Sequence, residues 1–192
     1  MCLTPEKIYK NKMSYLNLLN KLDIDLVELT RYLENVDYFN KPASTQFFRP
    51  YAGGLCQYAL DVYFELGQLC NAYFPGKYTE QDIIKVALFK DIYRAELYEQ
   101  YNKNTKDDSG NWVSVVAYKY KETRPTFGDL GFSSYMIAKH FVDFTDEQIE
   151  AITQSSTKDC YAGDIHDILR SYPLATLTKM ADLVANYLEQ DL

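Results

Sequence analysis

The stretch Leu55–Tyr73, LCQYALDVYFELGQLCNAY, constrains the fold more than any other part of this chain. Its apolar residues recur at helical spacing, Gly53-Gly54 precedes it, and FPGKY stops it, so it predicts one long helix around which other elements must pack. The first 40 residues repeat that spacing at Ile8, Tyr15, Leu16, Leu18, Leu19 and Leu22, and again at Leu26, Leu29 and Leu33. They predict two short helices broken near Asp23, followed by a loop through NKPASTQFFRPYAGG. Thr79 and Asp82 form a T-x-x-D capping box for a helix from Glu80 to about Leu97, and Thr145 with Gln148 opens another that reaches about Gln154.

Between these the period changes. ELYEQYNKN and NWVSVVAYKYKE are β-prone and flank the turn signal TKDDSG, which predicts a hairpin over about 97–121 projecting from a helical body. A helix is expected over Phe132–Phe141, CYAGDIHDILRSYP reads as a bridge, and Leu174–Leu188 reads as the last helix. No internal repeat or linker interrupts the chain, so residues 1–192 read as one mainly α domain.

Composition narrows the function classes. With 27 acids against 20 bases the net charge is -7, which argues against general nucleic-acid binding through a basic face. An acidic surface can instead meet a basic protein. The 18 tyrosines fit either a recognition surface or half-buried positions where Tyr replaces Phe. Cys2, Cys56, Cys70 and Cys160 are widely spaced, with no CxxC pair, and read as free thiols of a reducing cytoplasm. The N-terminus has no continuous apolar segment, and no run has the length of a membrane span. There is no P-loop, GxGxxG or GxSxG motif. Gly53-Gly54 leaves room for the following helix N-terminus to face an anion. Trp112, next to the hairpin turn, is either an exposed anchor or folded back on the body.

The order of segments carries a resemblance. RPYAGGLCQYALDVYFEL, IIKVALFKDIYRAELY, the hairpin, FGDLGFSS, TDEQIEAITQSS and YPLATLTKMADLVANYLEQ together resemble the HD-domain metal-dependent phosphohydrolases, over about residues 45–190. The closest likeness is to the small HD proteins of phages and bacterial genomes. It implies an HD-like helical bundle with an inserted β-hairpin, residues 1–44 forming an N-terminal helical extension, and a phage origin. In that family, histidines and two aspartates gather around divalent ions that activate water.

Carried over residue by residue, the ligand set is depleted. The histidine expected after the Gly-Gly-Leu turn is Tyr58, and the His-Asp pair is Lys90-Asp91. The histidine near GDLG falls at Leu130, and the one after EAIT falls at Gln154 or Ser155. Only Asp91 and Asp182 match metal ligands. His140 and His166 lie off the motif positions. No metal and no cofactor is expected; if any ion bound, Asp91 and Asp182 would hold it. Lys90 and Lys179 would compensate those acids, Arg94 falls where the family often has a lysine, and Arg49 lies where the chain enters the site.

Two readings follow for that site. Its charges either close a salt-bridged pseudo-active site that only holds the fold, or they still attract an anion. The ligand-binding set is then Arg49, Tyr58, Lys90, Asp91, Arg94, Lys179 and Asp182, with Tyr51, Tyr58, Tyr93 and Tyr118 available to stack on a base. The leading expectation is a catalytically inactive cytoplasmic protein that sequesters a phosphorylated small molecule, a nucleotide or cyclic-nucleotide signal, and so counters host defence. The alternatives are an acidic inhibitor of a basic host protein and a weak metal-dependent phosphohydrolase. A homo-oligomer fits any of the three.

Overall fold

The computed structural model describes residues 3–123, 128–155 and 163–187. The chain is mainly helical, with one antiparallel two-stranded sheet. Helices α1 (Pro5–Leu19) and α2 (Leu26–Asn35) are capped by the side chains of Thr4 and Asp25, and a 3-10 turn, Tyr38–Asn40, follows. The central helix α3 (Gly54–Tyr73) packs most extensively on α9 (Pro173–Tyr187) and also meets α4 (Glu80–Phe89) and α1. Helix α6 (Leu130–Ala138) packs on α7 (Asp146–Gln154), which in turn lies against α9. Both expected capping boxes form.

The core is continuous from α1 to α9. Tyr15, Leu19, Leu29, Leu33, Leu55, Val62, Leu66, Ile84, Phe89, Ile152 and Ala181 are all fully buried within it. The Tyr15 hydroxyl donates to the Leu88 carbonyl at 2.8 Å, which ties α1 to the end of α4. The N-terminal helices therefore share the core of the segments that follow.

Three elements differ from the sequence expectation. The helix expected over Glu80–Leu97 stops at Phe89, and a short α5 (Arg94–Leu97) resumes after a turn. Backbone bonds from Ile92, Arg94, Ala95 and Glu96 each reach the carbonyl three residues back, so the chain tightens there. The physical reason lies in the charged pair. Adjacent residues on a regular helix do not face each other, whereas after the break Lys90 and Asp91 do. The second difference is α8 (Gly163–Ser171), which stands where a bridge was expected. The expected helix Phe132–Phe141 starts and ends earlier, as α6.

The hairpin joins β1 (Tyr98–Lys106) to β2 (Trp112–Tyr120), in register from Tyr98 opposite Tyr120 to Lys106 opposite Trp112. The Asp107 carboxylate accepts from the Ser109 and Asn111 amides at 2.9 Å, and Gly110 takes the left-handed φ of 83° that closes the turn. Only the base is buried, through Tyr98 and Tyr118. No helix of the described residues is long and apolar enough to cross a membrane. Cys56 and Cys70 are buried free thiols, while Cys2 and Cys160 lie outside the described residues.

Candidate functional site

Five of the seven expected site residues line one cleft. It has a volume of about 640 Å³, and Lys90, Asp91, Arg94, Lys179 and Asp182 are among its walls. The α4 break delivers Lys90 and Asp91, α5 delivers Arg94, and α9 delivers Lys179 and Asp182 from one face. Leu130, which the resemblance equates with a histidine position, lines the same cleft, and of the two candidates for the next histidine position Ser155 lines it and Gln154 does not.

The floor is a closed charge network. Lys90, only 2% exposed, directs its ammonium to the Tyr58 hydroxyl at 3.0 Å, to Asp182 Oδ1 at 2.6 Å and to Asp91 Oδ2. Its three N–H donors match those three acceptors. Arg94 Nε donates to Asp91 Oδ1 at 2.5 Å, and the Tyr58 hydroxyl donates to Asp182. Asn186 Nδ2 donates to Asp182 Oδ2 at 3.2 Å. Burial alone would raise the Asp91 carboxyl, yet Arg94 and Lys90 outweigh it and hold the group down to about 2. Burial pulls Lys90 down, and Asp182 and Asp91 reverse this, leaving it well above the ordinary lysine value. Burial raises the Tyr58 hydroxyl far above its usual range, so it stays protonated.

Tyr58 and Arg49 lie behind this floor. The Tyr58 ring is 1% exposed, with Lys90 Nζ 4.8 Å and the Arg49 guanidinium carbon 5.6 Å from its centroid, and Phe48 beside it at 5.4 Å. Arg49 reaches inward instead of into the cleft: it donates to the Ala185 carbonyl at 2.9 Å and to Asp61 at 2.6 Å. It holds a left-handed φ of 43°, unusual for a residue with a side chain. Its carbonyl passes so close to Gly54 that a Cβ there would stand 2.4 Å from it. The Gly53-Gly54 turn therefore serves this approach. At the α3 N-terminus the Gly54 and Leu55 amides are already taken by the carbonyls of Tyr51 and Lys41, so they are not offered to an anion.

The expected stacking tyrosines are elsewhere as well. Tyr58, Tyr93 and Tyr118 are interior, and Tyr51 pairs with Gln57 outside the cleft. Phe48, Leu183 and Tyr187 supply the apolar wall in their place, and Asp129 and Asn186 add polar groups. None of these five was expected from the sequence. Helical spacing could have found three, since Leu183, Asn186 and Tyr187 share the α9 face of Lys179 and Asp182. His166 is exposed on α8 beside Asp167, and His140 lies on a separate cleft of about 400 Å³.

The residues present do not fit the divalent ion that the resemblance implies. Among the described residues no three His, Cys, Asp or Glu side chains are grouped to hold a metal. An ammonium lies between the two carboxylates that would be its ligands. No protein-family model matches the chain, and no curated protein and no solved structure matches it significantly.

Proposed function

We propose that this chain is a catalytically inactive HD-like protein that binds a small phosphorylated molecule, a nucleotide or cyclic-nucleotide signal, without hydrolysing it. The observation that supports this reading is convergence. Lys90, Asp91, Leu130 and Asp182, which the resemblance makes counterparts of metal ligands, line one cleft with Tyr58 beneath it, as does Ser155, one of two candidates with Gln154 for a further ligand position. Lys90 takes over the role of a bridging cation, so the floor keeps its shape while lacking a centre able to activate water.

The volume of about 640 Å³ suits a nucleotide-sized ligand. Lys90 spends its donors internally, so the cleft cations that would meet an incoming phosphate are Arg94 and Lys179, the latter turning from its bond to the Gln154 carbonyl at 3.2 Å. Arg94 uses Nε on Asp91 and Nη1 on the Ala43 carbonyl at 3.3 Å and the Tyr98 hydroxyl at 3.5 Å, while its Nη2 makes no hydrogen bond among the described residues. Phe48, Leu183 and Tyr187 offer a base an apolar wall, and Asp129 and Asp182 offer acceptors to hydroxyl or amino groups. In a phage-infected cell such a pocket would sequester a signal of the host's defence.

Mass spectrometry of small molecules released from the heat-denatured protein, followed by calorimetry with a nucleotide panel, tests this directly. A phosphorylated species should be recovered, and Lys179→Glu and Arg94→Glu should each weaken its binding at least tenfold. Binding of no nucleotide, or affinity unchanged in both variants, would refute the reading. In that case a basic protein partner becomes the better account of the acidic surface.

A further inference from the structure

The hairpin has no part in the cleft and raises a separate question. Its burial is confined to its base, and a two-stranded hairpin is marginal in water by itself. Its two edges are very different. β1, YEQYNKNTK, is interrupted by Glu99, Lys103 and Lys106, the kind of charges that keep an edge from pairing. The stretch Trp112–Val116 of β2, WVSVV, carries no charge, no Gly and no Pro. Trp112 is 72% exposed and Val116 55%, with Val113 and Val115 also open to solvent. Such a segment on an open edge is a template for another strand.

The backbone pattern shows which strand fits. At the two ends of the ladder the Lys121 amide donates to the Leu97 carbonyl and the Asp107 amide to the Asn111 carbonyl, both at 2.9 Å. Odd-numbered residues therefore turn their amides and carbonyls inward, and the alternation of an antiparallel ladder points those of Trp112, Ser114 and Val116 outward.

We propose that two copies of this chain pair through the outer edge of β2, antiparallel, across a two-fold axis at Ser114. In that register Trp112 faces Val116 of the second copy, Val113 faces its Val115, and the two Ser114 residues face each other. Every side-chain pair off the axis is then apolar, aromatic or β-branched, and the outward backbone groups meet in hydrogen-bonded pairs. The sheet grows to four strands, past the size at which a sheet is marginal.

Charge favours a second copy as occupant. The chain carries -7, but its segment from Leu97 to Lys121 holds Lys103, Lys106, Lys119 and Lys121 against Glu99, Asp107 and Asp108, a balance of +1. Antiparallel hairpins set the two acidic bodies at opposite ends and bring together the part that does not repel.

Sedimentation of the full chain should give about twice its 22.3 kDa mass, with the emission of the single Trp112 shifting to the red on dilution. Ser114→Pro removes only an outward amide, so the hairpin keeps its own ladder while the dimer is lost. Asn104→Pro makes the same change on the outer edge of β1 and should leave the dimer intact. In a C2S, C160S background, Ser114→Cys should cross-link two copies under mild oxidation and Asn104→Cys should not. A wild type that stays monomeric up to roughly 100 µM overturns the proposal, as does a dimer insensitive to Ser114→Pro that gives no Ser114→Cys cross-link. None of these readouts involves the cleft, so their failure and that of the nucleotide reading are separable.

Discussion

The Lys90 ammonium lies 2.6 Å from Asp182 Oδ1, a residue 92 positions away in the chain. This contact joins the end of α4 to the middle of α9, and Asp91, Arg94 and Tyr58 close the network around it. Breaking a buried pair from one side leaves an uncompensated charge, which costs about 3–5 kcal/mol. Lys90→Met should therefore lower unfolding stability in urea by that amount. Lys90→Met combined with Asp182→Asn should recover part of the loss, since the second change removes an orphaned carboxylate. Additive losses in this cycle would show that the two residues are not coupled.

Tyr58 tests the same network by a smaller change. Its hydroxyl accepts from Lys90 and donates to Asp182 beneath the cleft floor. Tyr58→Phe keeps the ring packed on Phe48 and deletes only the hydroxyl, with an expected cost of about 1–3 kcal/mol. A loss below about 0.5 kcal/mol would show that water replaces the hydroxyl without penalty.

Acid should dismantle the site through Asp91. Its folded value, about 2, lies below the ordinary 3.8, so the unfolded chain takes up a proton first as pH falls. The stability this carboxylate contributes is complete above about pH 4 and is lost on descending to about pH 2, an amount on the order of 2 kcal/mol. Lys90 has the opposite sign: raised above its ordinary value, it contributes throughout the neutral range and fades only in strong alkali. The difference in stability between wild type and Asp91→Asn, followed by urea titration, should shrink between pH 4 and pH 2 and stay flat between pH 6 and 9. A flat difference across the acid range would remove Asp91 from the network.

Much of this architecture was readable in periodicity and punctuation. The α3 pattern, both capping boxes and the hairpin turn are local signals, and each appears where the residues put it. Lys90, Asp91, Arg94, Lys179 and Asp182 were expected together and line one cleft. What stayed hidden depends on tertiary contact. The α4 break is marked by no Gly or Pro; it lets Lys90 meet Asp91 and also Tyr58 and Asp182, and the last two are far away in sequence. Arg49 was expected at the cleft but turns to Asp61 and Ala185, partners that no local pattern reveals. The tyrosines of the interior were indistinguishable in sequence from stacking residues, since Tyr serves both uses.

The approach of Arg49 to α3 makes Gly54 sensitive. A Cβ at Gly54 would meet the Arg49 carbonyl at 2.4 Å and its Cβ at 2.9 Å, and backbone cannot yield as a flexible side chain does. Gly54→Ala should cost about 1–3 kcal/mol through this overpacking, despite the better helix propensity of alanine. Thermal unfolding should show a clear drop in midpoint, whereas Gly67→Ala, with nothing near its Cβ, should be neutral or stabilising. Equal behaviour of the two variants would contradict the close packing of this turn.

Metal binding is the last test of how the site is built. The carboxylates of Asp91 and Asp182 could hold a divalent ion only by expelling the Lys90 ammonium, which has no other acceptor among its contacts. The described residues offer no imidazole at the cleft to replace it. Added Mg²⁺, Mn²⁺ or Ni²⁺ at millimolar concentration should therefore leave the melting temperature of the wild type unchanged, because a ligand stabilises the folded state only as far as it binds it. Equilibrium dialysis should retain no ion on the protein. A stabilisation by any of these metals that disappears in Asp182→Asn would place the ion at the cleft and revive hydrolysis as the function of this chain.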